Sequence, residues 1–448
     1  MTATLSAGDQ AVITGLSRSH IEVTTAGLKP FLQHSIWIGQ TNHYAHDVVD
    51  RLNQAPADAT QRRDLAQYIA ASVSLHASDG WSYLGRAVAC VLAGDTHRAL
   101  HLAYYAELRA GLSLLASAGV GIFNHRHYVV PAVNSASKLH VQLGTHVTAW
   151  LALEHWAQQP ASGALFTDLV RPEGRTLNDW FQPQGGAATL APQAKDWFMQ
   201  WGMDLGLASK DRDARNESSY RPDGIPAIWQ SFPKDGLEFV RDTWSALEPS
   251  STSSFEQIDR HILRLALERH FHGLTGRVAV ATDPAFAALV NSAVDAQGFA
   301  DATADRLKKF LLRQAAPTDP LIFRYSTLPP GTPATDALAV LSRAVLLLRI
   351  ATGSAQGLLH QAGVGADVLS FWWQKVGEAR GLWPPDAPPT TLSDLWADVE
   401  ESLSDLSTIE ADDPSALESV NGIAFRAEVR LGVLSSHERV GLWGLCPT

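Results

Sequence analysis

The sequence predicts a mainly α, multi-helix bundle with one small β-hairpin excursion. Three observations predict it. Apolar residues recur at helical spacing through most of the chain. β-Rich runs occur around residue 124, where the helical spacing breaks. Hydrophobic residues make up 46% against 18% charged, which supplies large cores and excludes a disordered chain.

In chain order, residues 1–30 read as an irregular or extended lead. "FLQHSIWIGQTNHYAHDVVDRLNQ" has apolar positions at helical spacing and stops at the loop "APADAT". "QRRDLAQYIAASVSLHASDG" reads as a second helix, and "WSYLGRAVACVLAGD" as a third, stopped by Gly94. "THRALHLAYYAELRAGLSLLASAG" is a long fourth helix with Thr96 as its N-cap. "GVGIFNHRHYVV" breaks the period around Asn124-His125-Arg126 and reads as a hairpin. Helices resume at "GTHVTAWLALEHWAQQP". Prolines and glycines from Pro160 to Gly186 then mark a loop-rich region with a short helix at "TLNDWFQ". "APQAKDWFMQWGMDLGLASKDRDARN" is amphipathic and helical.

The Ser-rich piece "EPSSTSS" reads as a linker or an N-cap cluster. Beyond it, helices are expected from Phe255 to His270 and at "DPAFAALVNSAVDAQ", "ATADRLKKFLLRQA", "ATDALAVLSRAVLLLRIATG" and "ADVLSFWWQKVGEARG". A Pro-rich loop separates the last of these from the acidic "DLWADVEESLSDLSTIEADDP". The division that follows is a lead at 1–30, a helical domain at 31–230, a linker at 231–254 and a second helical domain at 255–448.

Net charge is -11, which opposes non-specific attachment to nucleic acid or anionic lipid. Any RNA contact therefore needs a local basic patch or a partner that supplies one. Two cysteines, Cys90 in an apolar helical run and Cys446 near the C-terminus, exclude a disulfide framework and a cysteine zinc site. The N-terminus lacks a signal-peptide pattern, and no apolar run reaches about 18 residues. The longest is cut by Arg343 and Arg349 and suits a buried helix. A cytoplasmic chain with no membrane partner is expected.

The usual anchors of ATPases, dinucleotide enzymes and serine hydrolases are missing. Histidine is abundant, at 17, in three neighbourhoods: His125 with His127, His140 with His146 and His155, and His270 with His272. None has a metal-site spacing, so no metal and no cofactor is expected. On a strand His125 and His127 would share a face; on a helix His270 and His272 would not. Trp197 and Trp201, four apart, read as core, and of the adjacent Trp372 and Trp373 one is expected to face outward. Glu107 and Arg109 interrupt an apolar helix. They read either as a structural ion pair or as one wall of a polar site.

The stretch "DRDARNESSYRPDG", Asp211 to Gly224, is nearly devoid of apolar residues. Arg212, Arg215 and Arg221 are suited to phosphate. "RDARNESSYRP" resembles the R-N-x-x-x-[H/Y] signature of the HEPN superfamily, helical-bundle proteins common in bacterial toxin–antitoxin and phage-defence systems. The upstream block from Trp81 to Asn124 is similar to the long-helix portion of YaaC-like members, and the resemblance covers roughly residues 30–230. It implies a metal-independent endoribonuclease. Arg215 would hold the scissile phosphate, Asn216 would position it, and Tyr220, where the family often has His, would assist proton transfer. Arg212 and Arg221 would extend the phosphate contact, with Glu107 and Arg109 as a second wall. RNA, a second copy of the chain or a defence subunit are the implied partners. The alternative is a non-catalytic HEPN-like scaffold. The polar stretch also reads as a helix end carrying a salt-bridge network, Asp211 to Arg215 beside Glu217.

Overall fold

The computed structural model describes residues 4–206, 233–251, 253–327, 336–392 and 394–446. The described part of the lead, residues 4–30, is largely helical rather than extended, with helices at Ala7–Thr14, Arg18–Ala26 and Lys29–Gln33. The Ser6 and Ser17 hydroxyls accept the N–H groups of Asp9 and Ser19 and cap the first two. These pieces span only 8, 9 and 5 residues, too few to display a sustained period in the sequence. Ile13, Ile21 and Leu28 anchor them in the core.

Residues 31–54 do not form the expected helix; only Val48–Leu52 is helical beyond Gln33. Side chains take over the backbone partners that a helix would have used. Asn42 Oδ1 accepts the Tyr44 N–H at 2.8 Å, and Asp64 Oδ2 accepts the His43 N–H at 3.0 Å.

Helix α1, Ala59–Leu92, is one 34-residue helix where two were expected. It starts at Asp58, whose side chain accepts the Gln61 N–H at 2.8 Å. Gly80 does not end it. A Cβ at Gly80 would collide with Leu348, so this glycine serves a close helix approach rather than a stop. Gly94, at φ +75°, turns the chain, and Asp95, rather than Thr96, caps α2, Thr96–Ser117.

The expected excursion is a three-stranded antiparallel sheet, β1 (Val120–Ile122), β2 (His127–Ala132) and β3 (Ser135–Lys138), in that order. Val120 pairs with Val129 and Ile122 with His127. His125 sits in the turn at φ +55° while His127 is buried in β2, so the two do not share a strand face.

Helix α3 is Thr145–Ala157, and α4 is Ala187–Trp201. Between them a capping box of Thr176 and Asp179 starts the short helix Leu177–Trp180. Trp197 and Trp201 are buried and stack at 5.8 Å. Further on come α5, Glu256–Thr275, helices at Pro284–Asp295 and Asp301–Leu311, and α6, Ala337–Gln361.

Helix α6 is the centre of the molecule and packs on both α1 and α2. Among the described residues it alone is long and apolar enough to cross a membrane, and 94% of that apolar window is buried inside the protein. Its arginines are neutralised in place. Arg343 pairs with Asp204, with Nη2 to Oδ1 at 3.0 Å, and Arg349 makes a bidentate pair with Asp259 at 2.8 and 2.7 Å. The Trp81 indole N–H of α1 donates to Thr352 Oγ1 of α6 at 2.8 Å. Residues on both sides of the 231–254 span therefore contribute to one continuous apolar core. Within that span Pro233–Leu247 is helical.

In the helix Ser370–Arg380 both Trp372 and Trp373 are buried, where one was expected to face outward. Trp37 meets the first at 5.7 Å and Trp383 the second at 5.9 Å, so loops on either side cover both rings. The acidic segment is the helix Asp394–Asp412. Two more helices follow, α7 (Val420–Leu434) and α8 (Glu438–Leu445), the latter buried against α1. Cys446 is buried and Cys90 half-buried.

Candidate functional site

Helices α1 and α2 form an αα-hairpin that is mostly Ala and Leu on its buried faces. One pair of facing stripes differs. Along α2 run His97, His101, Tyr105 and Arg109, four residues apart, and along α1 run His76, Asp79, Tyr83 and Arg86 at helical steps of three and four. Positions at those steps lie on one face, so the hairpin brings the two rows together as a polar, aromatic seam. His101, Tyr105, Arg109, His76 and Tyr83 are partly exposed.

The contacts along the seam are specific. Tyr83 and Tyr105 stack with centroids 5.5 Å apart. Arg109 and Arg86 lie 5.9 and 5.6 Å from the Tyr83 ring centroid. His101 meets Tyr105 edge-on at 4.9 Å. His146, from the first turn of α3, lies 6.0 Å from Tyr105 and stacks on Tyr104 at 5.5 Å. The Tyr104 hydroxyl and His146 Nδ1 are 2.7 Å apart, which fixes that ring's orientation. When Tyr104 donates, the imidazole keeps its proton on Nε2.

At the other end Arg109 is held by two groups. Its Nη1 is 2.8 Å from His76 Nδ1 and 3.5 Å from Asp79 Oδ2. An arginine only donates, so Nδ1 accepts and the His76 ring is neutral. Burial, with Arg109 alongside, pushes the His76 pKa down to about 3, which keeps that state through neutral pH. Asp79 also lines a cavity of about 600 Å³ beside the seam, where Trp37, Phe371 and Trp372 supply rings and Lys375 and Arg380 supply cations.

Glu107 and Arg109 part company. Two residues on a helix are about 200° apart, so Arg109 reaches the seam while Glu107 is fully buried. Glu107 Oε1 accepts the Asp204 N–H at 3.2 Å, beside the Asp204–Arg343 pair, and Oε2 has no hydrogen-bond partner among the described residues. Burial, and the Asp204 carboxylate next to it, hold the Glu107 carboxyl well above its usual range. Arg212, Arg215, Asn216, Tyr220 and Arg221 lie outside the described residues.

Three of the other histidines named from the sequence make structural hydrogen-bond contacts. His127 Nε2 is 2.8 Å from the Leu143 carbonyl, His155 Nε2 is 2.9 Å from Thr14 Oγ1, and His272 Nδ1 is 3.1 Å from the Arg277 carbonyl. Among the described residues no three His, Cys, Asp or Glu groups stand together to hold a metal ion. Sequence reading did not single out His76, His101, Tyr83 and Tyr105. Their signal was the four-residue recurrence of polar rings and charge inside an Ala/Leu helix, which reads as partial amphipathicity until the second helix is laid beside it. No family model, curated protein or solved structure matches the chain.

Proposed function

We propose that this chain is an RNA-directed protein of the bacterial defence or toxin type that cleaves RNA without a metal, with the α1–α2 seam as its working face. The observation that carries the reading is the placement of His101 and His146 against Tyr105, on the face that also holds Arg109 and Arg86. Metal-free cleavage needs two proton carriers and a cation for the phosphate. One imidazole removes the 2′-hydroxyl proton as that oxygen attacks phosphorus. The bond to the 5′-oxygen breaks, and the second imidazole protonates it. The products are a 2′,3′-cyclic phosphate and a 5′-hydroxyl. Arg109, oriented by His76 and Asp79, binds the non-bridging oxygens bidentately, and the stacked tyrosines offer a surface for bases. Within the same proposal Arg215 and Asn216 add phosphate contacts and Tyr220 assists proton transfer.

The test is cleavage of single-stranded RNA by the purified chain in excess EDTA, with end-group analysis. Wild type is expected to leave cyclic phosphates. His101→Ala and His146→Ala are each expected to slow cleavage by roughly 10²–10⁴ at unchanged fold. Absence of cleavage, or folded histidine variants as fast as wild type, overturns the seam as a nuclease site. Loss in Arg215→Ala alone moves the chemistry to the segment following Gly206.

A second reading, a non-catalytic scaffold, is favoured by one feature. Phe425 and Val429 are 85% and 72% exposed one turn apart on α7. On that reading Phe425→Asp removes protection against phage, and the histidine variants do not.

A further inference from the structure

The cavity of about 600 Å³ beside the seam is walled by distant parts of the chain. Asp79 and Ser82, three apart on α1, form one side, and Phe371, Trp372 and Lys375 of the helix Ser370–Arg380 form another. The loop that includes Trp37 closes a third. Ser35 at φ +63° and Asp47 at φ +53° bracket that loop, and non-glycine backbone in this region gathers at ligand clamps. Trp37 meets Trp372 at 5.7 Å and 80°, and Phe371 at 6.2 Å and 62°, so the three rings form a corner and not a closed stack. Trp37 and Phe371 are partly exposed.

The polar lining carries both signs of charge. Glu438, the first residue of α8, lines the cavity and is 9% exposed. Its Oε1 accepts the Ser82 hydroxyl at 2.8 Å and stands 3.5 Å from Arg380 Nε, while Oε2 accepts no hydrogen bond among the described residues. Lys375 is exposed and has no carboxylate within ion-pair distance among the described residues. An organic cation would use the rings and the carboxylates but meet Lys375 and Arg380. A simple anion would meet Asp79 and Glu438. An aromatic molecule with N–H donors on one edge and an anion elsewhere uses all of these groups, and a nucleotide has that constitution. Guanine places two adjacent donors, N1–H and the N2 amino group, on its base-pairing edge, and one carboxylate accepts both. Adenine presents the N1 lone pair there, which a carboxylate repels. The volume falls in the range of roughly 300–1,000 Å³ typical of small-ligand sites.

We infer that this cavity binds a guanine nucleotide, with the base against Trp37 and Phe371, its donor edge on Glu438 and its phosphate at Lys375. A free nucleotide and one residue of an RNA chain share this chemistry. Asp79 is common to the cavity and the seam, but binding here does not depend on cleavage there.

The experiment is calorimetric titration of the full chain with GMP, AMP, guanosine and the RNA pentamers UUGUU and UUAUU, both 2′-O-methylated so that they cannot be cleaved. Wild type, Lys375→Ala, Glu438→Gln and His101→Ala are compared. GMP is expected to bind saturably, about tenfold or more tighter than AMP and about tenfold tighter than guanosine, the scale of one charge-assisted contact. Lys375→Ala is expected to weaken GMP by about the same tenfold and to leave guanosine unchanged. Glu438→Gln is expected to bring GMP and AMP to the same affinity. His101→Ala is expected to bind GMP as wild type does, which separates this site from the seam. UUGUU binding more tightly than GMP assigns the site to RNA, and GMP the tighter assigns it to the free nucleotide. The inference is overturned if neither GMP nor UUGUU binds, if the adenine forms bind as well as the guanine forms, or if His101→Ala rather than Lys375→Ala weakens GMP. Should Glu438→Gln fail to fold, Lys375→Ala, at an exposed side chain, decides.

Discussion

Replacing Glu107 by Gln tests the electrostatics of the core directly. Glu107 is fully buried beside Asp204, and both burial and that neighbour raise its pKa well above 4.5. The folded chain therefore holds this proton more tightly than the unfolded chain does. Its contribution to stability is full below about pH 4.5 and is lost as pH rises toward the folded value. Over that window wild type should lose about 1.4 kcal/mol per pH unit through this one group. Gln keeps the shape, can still accept the Asp204 N–H through Oε1 and has no proton to lose. Urea melts of wild type and Glu107→Gln from pH 5 to 8 should therefore match near pH 5 and separate upward, with the variant the more stable. For 448 residues the same difference is about 1.5 °C in Tm per pH unit, from a typical unfolding entropy of about 2.1 cal/mol/K per residue. A variant destabilised by the same amount at pH 5 and pH 8 would refute the reasoning. It would mean that Glu107 is an ionised partner of Arg343 and not a protonated neighbour of Asp204.

Other consequences can be measured alongside. Gly80→Ala raises helix propensity yet drives a methyl into Leu348; a net loss of about 1–3 kcal/mol in urea melts is expected, against a small gain if the helices separate freely. Asp259→Ala leaves the Arg349 charge buried and unpaired and should cost about 3–5 kcal/mol, while adding Arg349→Met should restore most of it. His437 lies flat on Trp244 at 4.4 Å, and burial lowers its pKa from 6.5 to about 4. Its neutral form supports the fold above pH 6.5, and that support, about 3 kcal/mol, is lost as pH falls toward 4. His437→Gln should flatten this part of the acid limb in circular-dichroism melts.

Local chemistry was readable where it decided the outcome. Ala and Leu at helical spacing marked α2, the β-rich run marked the sheet, and two arginines cutting "ALAVLSRAVLLLRIATG" marked α6 as a buried helix. Reading failed where a distant group overrode the local signal. Gly80 looked like a helix end because only the tertiary structure brings Leu348 against it. Residues 34–47 lost their helix to hydrogen bonds from Asn42 and Asp64. Trp372 and Trp373 are both covered because Trp37 and Trp383 arrive from far along the chain.

The same division holds for the sites. Sequence alone identified Glu107 and Arg109 as charges that an apolar helix must account for, since burial of either demands a partner wherever the helix goes. It could not say which turned inward, because that depends on where α1 and α6 press against α2. Helical period determined which residues share a stripe: His97, His101, Tyr105 and Arg109 on one helix, His76, Asp79, Tyr83 and Arg86 on the other. Only tertiary packing laid those stripes side by side and set His146 against Tyr105. The physical reason is range. Periodicity and capping act within a few residues of the chain, whereas pairing, burial and cavity shape are set by side chains that meet across hundreds of positions.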